Sequence, residues 1–216
     1  MTPRPPDISE PTEADLSPIA DLLSIAFADE YAPLFTRDDD ARRRCLEAMM
    51  THGFLEWRDS TVVCRADGKL VGVAILRWTP RPPRRRVLPC LQALATVIGW
   101  PRALLAMGSL LLTPEQRPPR GACELLVLAV HPEHRQRGIA RRLVAACEDA
   151  ACARGRSRIT VAVDVRNAPA IALYQSCGFR HVESRLIPAD LLAFRASRYH
   201  RMQKRVDLSK WQNASS

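Results

Sequence analysis

Residues 135–140 (RQRGIA) have the residue types and the spacing of an anion-binding turn. The apolar run Leu125–Val130 before them is typical of a strand that is buried on both faces, and Pro132 ends that strand. A helical pattern begins at Gly138, so the first helical N–H groups and the positive end of the helix dipole face the turn. Because Gly138 lacks a Cβ, the backbone can approach a ligand closely. The pattern therefore predicts a site for a phosphate or a pyrophosphate.

Taken by itself, this turn also fits a basic, solvated N-terminus on a packed helix. It lacks the Gly-Lys-Ser/Thr ending of a nucleotide-binding loop and the three spaced glycines of a dinucleotide-binding turn. The choice between the two interpretations depends on the residues that follow.

A second group of residues comes after the next predicted strand, Arg158–Val163. Asn167 is placed to cap a short helix, and Tyr174 brings a hydroxyl group to the far end of that helix. Gly178 ends the helix, and Phe179 begins another strand. Together the two groups form the pattern Arg-x-x-Gly-x-Ala followed by Asn-x-x-Ala-x-x-Leu-Tyr-x-x-x-Gly-Phe.

This pattern resembles the GNAT superfamily of acyl-CoA-dependent N-acetyltransferases, and the match runs from Glu124 to Phe179. The predicted order of strand, turn, helix, strand, helix and strand agrees with that family. The resemblance implies an α/β (α+β) fold with a mixed, mostly antiparallel twisted sheet of six to seven strands and about four core helices. The sheet would open between the central strands Leu125–Val130 and Arg158–Val163, with acyl-CoA in the opening.

The resemblance also implies which residues hold the co-substrate, acetyl-CoA. The backbone of the first central strand would pair with the pantetheine arm, and the N–H groups of the turn would hold the pyrophosphate. Asn167 would contact the pantetheine, and Tyr174 would face the sulfur atom. Ala140 stands where the family's motif usually has its final glycine. The implied cofactor-binding residues are Leu128, Ala129, Val130, Arg135, Gln136, Arg137, Gly138, Ile139, Ala140, Arg141, Asn167 and Tyr174.

Tyr174 is the candidate catalytic acid. A phenol with an ordinary pKa near ~10 is a suitable proton donor to a leaving thiolate, because thiols have pKa values near ~8.5. The alternative is a partly buried tyrosine whose hydroxyl makes a structural hydrogen bond. The backbone N–H of Val130 or of a neighbour is a candidate donor to the oxyanion.

Glu124 is the candidate catalytic base, because a protonated amine must lose a proton before it can attack a thioester. It stands where histone-acetyltransferase-like members of the family hold their base, and an apolar strand environment would make it a stronger base. The alternatives are a carboxylate paired with a nearby arginine and a water relay. Related N-terminal-amine transferases carry a carboxylate at the position of Ala162, and nearby Asp164 fits a turn residue better.

Apolar periodicity predicts the other elements of the chain. The predicted helices are Asp15–Phe27 (capped by Ser17 or Asp15), Asp38–Met50, Gly138–Arg154 and Ala168–Cys177. The predicted strands are Ile8–Pro11, Thr61–Arg65, Leu70–Trp78, Cys123–Val130, Arg158–Val163, Phe179–Arg185 and Ser197–Val206, with a hairpin turn at Asp67-Gly68.

An apolar stretch separates the third and fourth predicted strands. A basic, proline-rich segment, Pro80–Arg86, precedes the almost wholly apolar run Val87–Leu112. Pro101-Arg102 divides this run into two pieces, and each is shorter than the ~20 residues that a membrane span needs. We expect an inserted pair of short helices that covers the core or lines an acceptor pocket. Contact with a membrane surface through residues 80–112 and an oligomer contact remain the alternatives.

The chain has seven cysteines, an odd number that cannot all pair as disulfides within the chain. Their spacing shows no CxxC pair and no zinc-ligand pattern. They fit small buried apolar residues in a reducing cytoplasm. The N-terminus has no apolar segment of the kind that a signal peptide carries. His131 and His134 have no evident third ligand nearby, so no metal is expected.

The net charge of +9 makes an acidic partner plausible: a polyphosphate cofactor, nucleic acid or an anionic membrane surface. Binding to nucleic acid or to a membrane does not explain Asn167, Tyr174 and Gly178 after a phosphate turn, so no nucleic-acid partner is expected. We expect a monomer or homodimer with one domain, residues 1–206. That domain would carry an apolar helical insertion at 79–120, and a disordered tail at 207–216 would follow it.

The sequence therefore predicts a cytoplasmic N-acetyltransferase. It would move an acetyl group from acetyl-CoA directly to a primary amine of a small molecule or of a protein. A covalent cysteine intermediate has no Cys–His–acid group to support it. The alternative is a catalytically silent module that binds acyl-CoA.

Overall fold

The computed structural model describes residues 6–53, 58–78, 84–112, 121–187 and 197–208. Within them the strands are β1 (Asp7–Ser9), β2 (Thr61–Ala66), β3 (Lys69–Arg77), β4 (Ala122–Val130), β5 (Arg158–Asp164), β6 (Arg180–Ile187) and β7 (Ser197–Arg205). The helices are α1 (Leu16–Ala26), α2 (Ala28–Leu34), α3 (Asp39–Thr51), α4 (Val87–Ile98), α5 (Trp100–Leu112), α6 (Ile139–Ala153) and α7 (Ala168–Ser176). Residues 209–216 of the predicted tail and residues 79–83 and 113–120 of the predicted insertion lie outside the described residues. The single-domain boundary stays a prediction.

The strands β1 to β7 belong to one sheet, in the order β1-β2-β3-β4-β5-β7-β6. Neighbouring strands are antiparallel except β4 and β5, which run parallel. The predicted mixed, mostly antiparallel sheet is therefore confirmed. The predicted hairpin turn is also confirmed, because Asp67 and Gly68 have φ values of 51° and 78°, the left-handed backbone that a two-residue hairpin turn requires.

β4 and β5 are paired over three residues at their N-terminal ends. The partners are Ala122 with Arg158, Cys123 with Ile159, and Glu124 with Thr160. Beyond Glu124 the two strands separate, although β4 continues to Val130 and β5 to Asp164. The sheet is open between its two central strands, as predicted.

A β-bulge lies where β4 leaves β5. Ile75 of β3 is opposite Val127, but the next residue, Leu76, is opposite Leu125, so Leu126 is an extra residue in β4. The bulge shifts the alternation of side chains by one residue, so that Leu125 and Leu128 face the same side of the sheet. The sequence patterns did not predict this feature.

Two apolar layers cover the two faces of the sheet. One layer joins the inward faces of α1, α3, α4 and α5 to β3 and β4, and the other packs α6 and α7 against the opposite face. Gly72 lies on β3 under α6, and a Cβ at this position would lie 3.0 Å from Leu143 and 3.1 Å from Ile139. The absence of a side chain at Gly72 therefore allows the start of α6 to lie close against the sheet.

The predicted cap of α1 is correct in position only. The helix begins at Leu16 and Asp15 stands at its N-cap position, but neither Asp15 nor Ser17 caps it with a side-chain hydrogen bond. The buried Asp15 carboxylate instead accepts hydrogen bonds from Thr12 (2.6 Å from N and 2.7 Å from Oγ1) and from Arg65 of β2, whose Nη2 lies 2.5 Å away. Asp15 thus forms a capping box with Thr12 at the short 3-10 turn Glu13–Asp15 that precedes α1. The helix predicted at Asp38–Met50 is α3, and Asp38 caps it, since Asp38 Oδ1 accepts a hydrogen bond from the N–H of Ala41 at 2.7 Å.

The predicted helical pair in the apolar insertion is confirmed as α4 and α5. The break between the two helices lies at Gly99, which has a φ of 77°, and not at Pro101-Arg102 as predicted. Pro101 lies in the first turn of α5. Arg102 donates from Nε to the carbonyl of Phe35 and from Nη2 to the carbonyl of Pro33 at 3.2 Å. Arg102 thus binds the C-terminal end of α2, a helix that the sequence patterns did not predict.

The insertion is part of the folded core. Cys90 and Leu94 of α4, with Ala103 and Ala106 of α5, are fully buried in the layer that contains α1 and α3. In the part of the chain that the structure describes, no helix is both long enough and apolar enough to cross a membrane.

Candidate active site

The turn before α6 presents backbone N–H groups that no described residue binds. α6 begins at Ile139 after Gly138, and no side chain caps this end. The first helical hydrogen bond runs from the N–H of Arg142 to the carbonyl of Gly138 (3.2 Å). No described acceptor binds the N–H groups from Gln136 to Arg141, so the predicted anion site has unblocked donors.

Two residues of the turn have left-handed backbone. Gln136 has a φ of 60° and Gly138 a φ of 76°. Alternation of right- and left-handed residues directs successive N–H groups toward one side and forms a concave anion site. Left-handed backbone costs free energy at a non-glycine residue such as Gln136, and such strain clusters at functional sites.

The charged side chains of the turn lie around these N–H groups. Arg135 donates from Nε to the carbonyl of Val130 at 3.2 Å, so it folds back on the end of β4. Arg137 and Arg141 are exposed. Ile139 is buried against the sheet, so its side chain anchors the turn and its N–H remains available. The three arginines give the turn a positive charge that suits a diphosphate.

Within β4, the direction of the backbone groups alternates along the strand. The N–H of His131 binds the carbonyl of Val71 (2.9 Å), which makes this pair a hydrogen-bonded pair of the antiparallel ladder with β3. In an antiparallel ladder, residues that bond to the neighbouring strand alternate with residues whose N–H and carbonyl face away from it. The N–H and carbonyl of Ala129 therefore bond to β3, whereas those of Leu128 and Val130 face β5. β5 has separated from β4 at this level. Of the three strand residues predicted to pair with pantetheine, Leu128 and Val130 therefore have backbone groups that face the opening.

Asn167 caps α7, as predicted. Its Oδ1 accepts a hydrogen bond from the N–H of Ala170 at 3.1 Å, and its own N–H binds the carbonyl of Asp164 at 2.9 Å. These two bonds fix Asn167 directly after β5, at the start of α7.

Tyr174 lies near the C-terminal end of α7 and is 7% exposed. Its ring packs against Phe179, with 5.5 Å between the ring centroids. Burial raises the pKa of Tyr174, with smaller contributions from Cys147 and Cys177, so the phenol is protonated at neutral pH. No described residue makes a hydrogen bond to its hydroxyl group, so the described part of the fold does not use the donor.

Glu124 is buried, and its environment is not the apolar one that was expected. Arg77 donates to its Oε2 from Nε (3.0 Å) and from Nη2. The predicted alternative, a carboxylate paired with a nearby arginine, therefore describes the geometry. The guanidinium stabilises the ionised carboxylate at the residue where β4 and β5 part.

Asp164, the other carboxylate near the site, has a local partner. The carboxylate of Asp164 binds Arg166 through the backbone N (2.8 Å), Nε (3.0 Å) and Nη2 (2.7 Å), as a turn residue would. His131 and His134 have ring centroids 6.0 Å apart. In the described ranges, no group of three or more potential ligands could hold a metal ion.

Sequence reasoning missed α2 and its residue Glu30. Burial raises the pKa of Glu30, and the charges of Asp29 and Asp164 raise it further, while Arg166 opposes them. The charges of Asp164, the last residue of β5, and of Arg166 thus act on Glu30 of α2. Because α2 is short and contains Pro33, its seven residues carry no helical period that could have revealed it.

A family comparison agrees with this geometry. The model of the family described as "Acetyltransferase (GNAT) family" matches residues 19–179, which is most of the chain. The chain belongs to the acetyltransferase (GNAT) family. The family resemblance that the sequence motifs suggested is thus confirmed.

Curated relatives of this GNAT protein match over a short stretch. A mycothiol acetyltransferase from Clavibacter michiganensis subsp. michiganensis (strain NCPPB 382) is 42% identical over 60 residues, which is 28% of this chain and 20% of the relative. The mycothiol acetyltransferase of Clavibacter sepedonicus is 38% identical over 60 residues. The aligned part of this chain thus spans one fifth of the length of these relatives.

Solved structures share the fold of this GNAT protein over nearly its whole length. A crystal structure described as an acetyltransferase has a TM-score of 0.66 at 22% identity and covers 93% of this chain and 100% of its own. A putative acetyltransferase from Salmonella typhimurium, solved with its cofactor acetyl-CoA, has a TM-score of 0.56 at 20% identity over 94% of this chain and 95% of its own. The ribosomal-protein-S18-alanine N-acetyltransferase from Escherichia coli has a TM-score of 0.56 at 17% identity, with the same coverage.

Proposed function

We propose that this GNAT protein is an N-acetyltransferase that moves an acetyl group from acetyl-CoA directly to a primary amine of a small molecule or of a protein. The observation that carries the proposal is the opening between β4 and β5 beyond Glu124 and Thr160, beside the unbonded N–H groups at the start of α6. An extended thioester cofactor with a diphosphate needs both features: a slot with backbone partners and an anion site at one end.

In this proposal the cofactor is held mainly by backbone groups. The N–H groups of Gln136 to Arg141 bind the diphosphate, and those of Leu128 and Val130 bind the pantetheine arm. Asn167 contacts the arm from the side of β5. Arg137 and Arg141 add charge at the phosphates. Backbone donors fixed by a strand and a helix do not have to be reorganised when the cofactor binds.

Acetyl-CoA supplies an activated acyl group whose C–S bond breaks as the C–N bond to the amine forms. A lysine-like amine with a pKa near ~10.4 is neutral in roughly one molecule in a few thousand at pH 7, so a proton acceptor speeds the reaction. Glu124, whose carboxylate is held in place by Arg77, accepts the amine proton through water. Tyr174 donates its proton to the sulfur as the thiolate leaves, and a backbone N–H at the end of β4 that the pantetheine arm does not bind, that of Val130 or of a neighbouring residue, stabilises the oxyanion.

A cytoplasmic location and a monomeric or homodimeric state belong to the same proposal. All seven cysteines are free, and five of them are buried, as in proteins of reducing compartments. Burial raises the pKa of the Cys45, Cys90 and Cys123 thiols to about 12, so these thiols act as small apolar residues.

The proposal is tested by thiol release from acetyl-CoA with a panel of amines and peptides. We expect Tyr174→Phe to lower kcat by about 10²–10⁴ on the best acceptor while the Kd for acetyl-CoA stays unchanged. If wild-type protein binds acetyl-CoA but releases no thiol above background with any acceptor, the alternative of a silent binding module is correct.

A further inference from the structure

The outer face of α5 is apolar. Its exposed large side chains are Trp100, Leu104, Leu105 and Leu111, which are 54%, 55%, 54% and 40% exposed. Arg102 is the charged residue of this helix, and its guanidinium binds the end of α2. The outer face of a helix on a water-soluble domain is ordinarily polar or charged, so this one is unusual.

α4 also carries an exposed apolar side chain. Leu88, in the first turn of α4, is 59% exposed. Five of the eight large apolar side chains that are exposed in the described residues therefore lie on these two consecutive helices. We call them the apolar patch: Leu88, Trp100, Leu104, Leu105 and Leu111. Clustering of this kind marks an interaction surface, whereas single exposed apolar residues do not.

The fold holds the apolar patch on the outside. Trp100, Leu104 and Leu111 lie within about 40° of one another around the axis of α5, because each residue turns the helix by about 100°. The opposite side of α5 is fixed in the core by Ala103 and Ala106, which are fully buried. A rotation that hid the patch would expose these core residues.

The insertion that carries the patch is basic. Residues 79–112 contain no Asp or Glu, and they contain Arg81, Arg84, Arg85, Arg86 and Arg102. Arg85 is exposed directly before α4, and Arg86 binds the carbonyl of Gly53 at 3.0 Å, which ties the start of the insertion to the end of α3. An exposed arginine, Arg85, thus precedes Leu88 of the apolar patch by three residues.

This charge distinguishes between two kinds of partner. A second copy of the chain, docked through the same patch, would bring the basic segments of both copies together and would be opposed by repulsion. An anionic bilayer attracts the arginines and accepts Trp and Leu side chains at its interface. We propose that α4 and α5 dock this protein on an anionic membrane surface, with the apolar patch in the interface and Arg85 on the headgroups.

The test uses full-length protein and vesicles of phosphatidylcholine with or without phosphatidylglycerol. The protein co-sediments with the phosphatidylglycerol vesicles, and high salt weakens this binding. The double substitution Leu104→Ser and Leu105→Ser lowers the partition coefficient about tenfold or more. Arg85→Gln lowers it on anionic vesicles alone. Val182→Ser, at a 54% exposed residue of β6 outside the patch, is the matched control and leaves it unchanged.

A spectroscopic readout reports the patch directly. Tryptophan emission shifts to shorter wavelength on anionic vesicles in wild-type protein, and the shift is lost in Trp100→Phe. The proposal is overturned if wild-type protein does not sediment with anionic vesicles, or if Val182→Ser reduces binding as much as the double substitution does. It is also overturned if sedimentation equilibrium shows a wild-type dimer that Leu104→Ser with Leu105→Ser converts to a monomer. Thiol release by the patch variants is expected to equal that of wild type, so failure of this proposal is separate from failure of the proposed function.

Discussion

Arg77 Nε lies 3.0 Å from Glu124 Oε2, and this ion pair joins β3 to β4 at the residue where the sheet opens. Glu124 is the last residue of β4 that is paired with β5, and Arg77 is the last residue of β3. The buried carboxylate is held by two donors of one guanidinium. Arg77 is therefore the residue that positions the proposed base.

We expect Glu124→Gln to lower kcat by about 10²–10⁴, because glutamine cannot accept the amine proton, while acetyl-CoA affinity stays unchanged. The matched control is Glu183→Gln, which removes a carboxylate that is ion-paired with Arg201 (3.0 Å) away from the opening and leaves kcat within about twofold. Steady-state thiol release measures both. Full activity in Glu124→Gln would show that the base is another group.

Substitution at Gly138 should weaken cofactor binding. A Cβ added at Gly138 would have no atom within 4 Å, so Gly138→Ala causes no clash. The φ of 76° nevertheless strains any residue with a Cβ, so the turn must distort. We expect the Kd for acetyl-CoA to rise about tenfold. Gly155→Ala is the matched control, since Gly155 lies beyond the other end of α6 with a φ of 63° and open space around it. Calorimetric titration should show a normal Kd for this control, and equal weakening in both variants would contradict the assignment of the turn.

The stability of the protein should depend on the ionisation of Asp15. Burial acts to raise the pKa of Asp15, but the hydrogen bonds from Thr12 and Arg65 outweigh it, so the pKa lies below its ordinary value. A carboxyl group with a lowered folded-state pKa contributes stability above its unfolded pKa of ~3.9 and loses it as the pH falls through the folded-state value. Asp15→Asn should therefore lower the free energy of unfolding by about 1–3 kcal/mol at pH 7, and by less below about pH 4.

Urea unfolding at neutral and acid pH measures this difference. Asp21→Asn, at an exposed residue of α1, is the control and should change stability little at either pH. If the loss in Asp15→Asn were the same at both pH values, the ion pair with Arg65 would not be the cause.

Arg102→Ala tests whether the insertion supports α2. Loss of the hydrogen bonds to the carbonyls of Phe35 and Pro33 should lower the free energy of unfolding by about 1–2 kcal/mol. Because the charges at the end of β5 act on Glu30 of α2, we expect KM for the acceptor to rise while KM for acetyl-CoA stays constant. Arg44→Ala, which removes an exposed ion pair with Asp40 (3.1 Å), should cost less than about 0.5 kcal/mol. An unchanged acceptor KM in Arg102→Ala would separate α2 from acceptor binding.

Local patterns predicted most of the elements, because the signals for them lie within a few residues. Asp67-Gly68 specifies a hairpin turn, the 3.6-residue period of α6 begins at Gly138, and Asn167 caps α7. The opening of the sheet followed from family motifs and not from these local signals.

Contacts between distant segments could not be predicted. Arg77 meets Glu124, 47 residues further along the chain, only because β3 and β4 are in one particular register. The bulge at Leu126 has no residue that marks it in the sequence, and it changes which backbone groups face the opening. In the sequence, Arg102 is a charged residue that interrupts an apolar run. Its carbonyl partners at the end of α2 are visible only in the packed structure.

The central claim is that the start of α6 binds the diphosphate of acetyl-CoA while the open edge of β4 binds its pantetheine arm. Backbone amide chemical shifts during an acetyl-CoA titration test this claim most directly. We predict large shifts for the N–H groups of Gln136 to Arg141 and for those of Leu128 and Val130, and a small shift for Ala129, whose N–H is bonded to β3. Unchanged shifts at Gln136 to Arg141, or shifts centred on another part of the chain, would contradict the account.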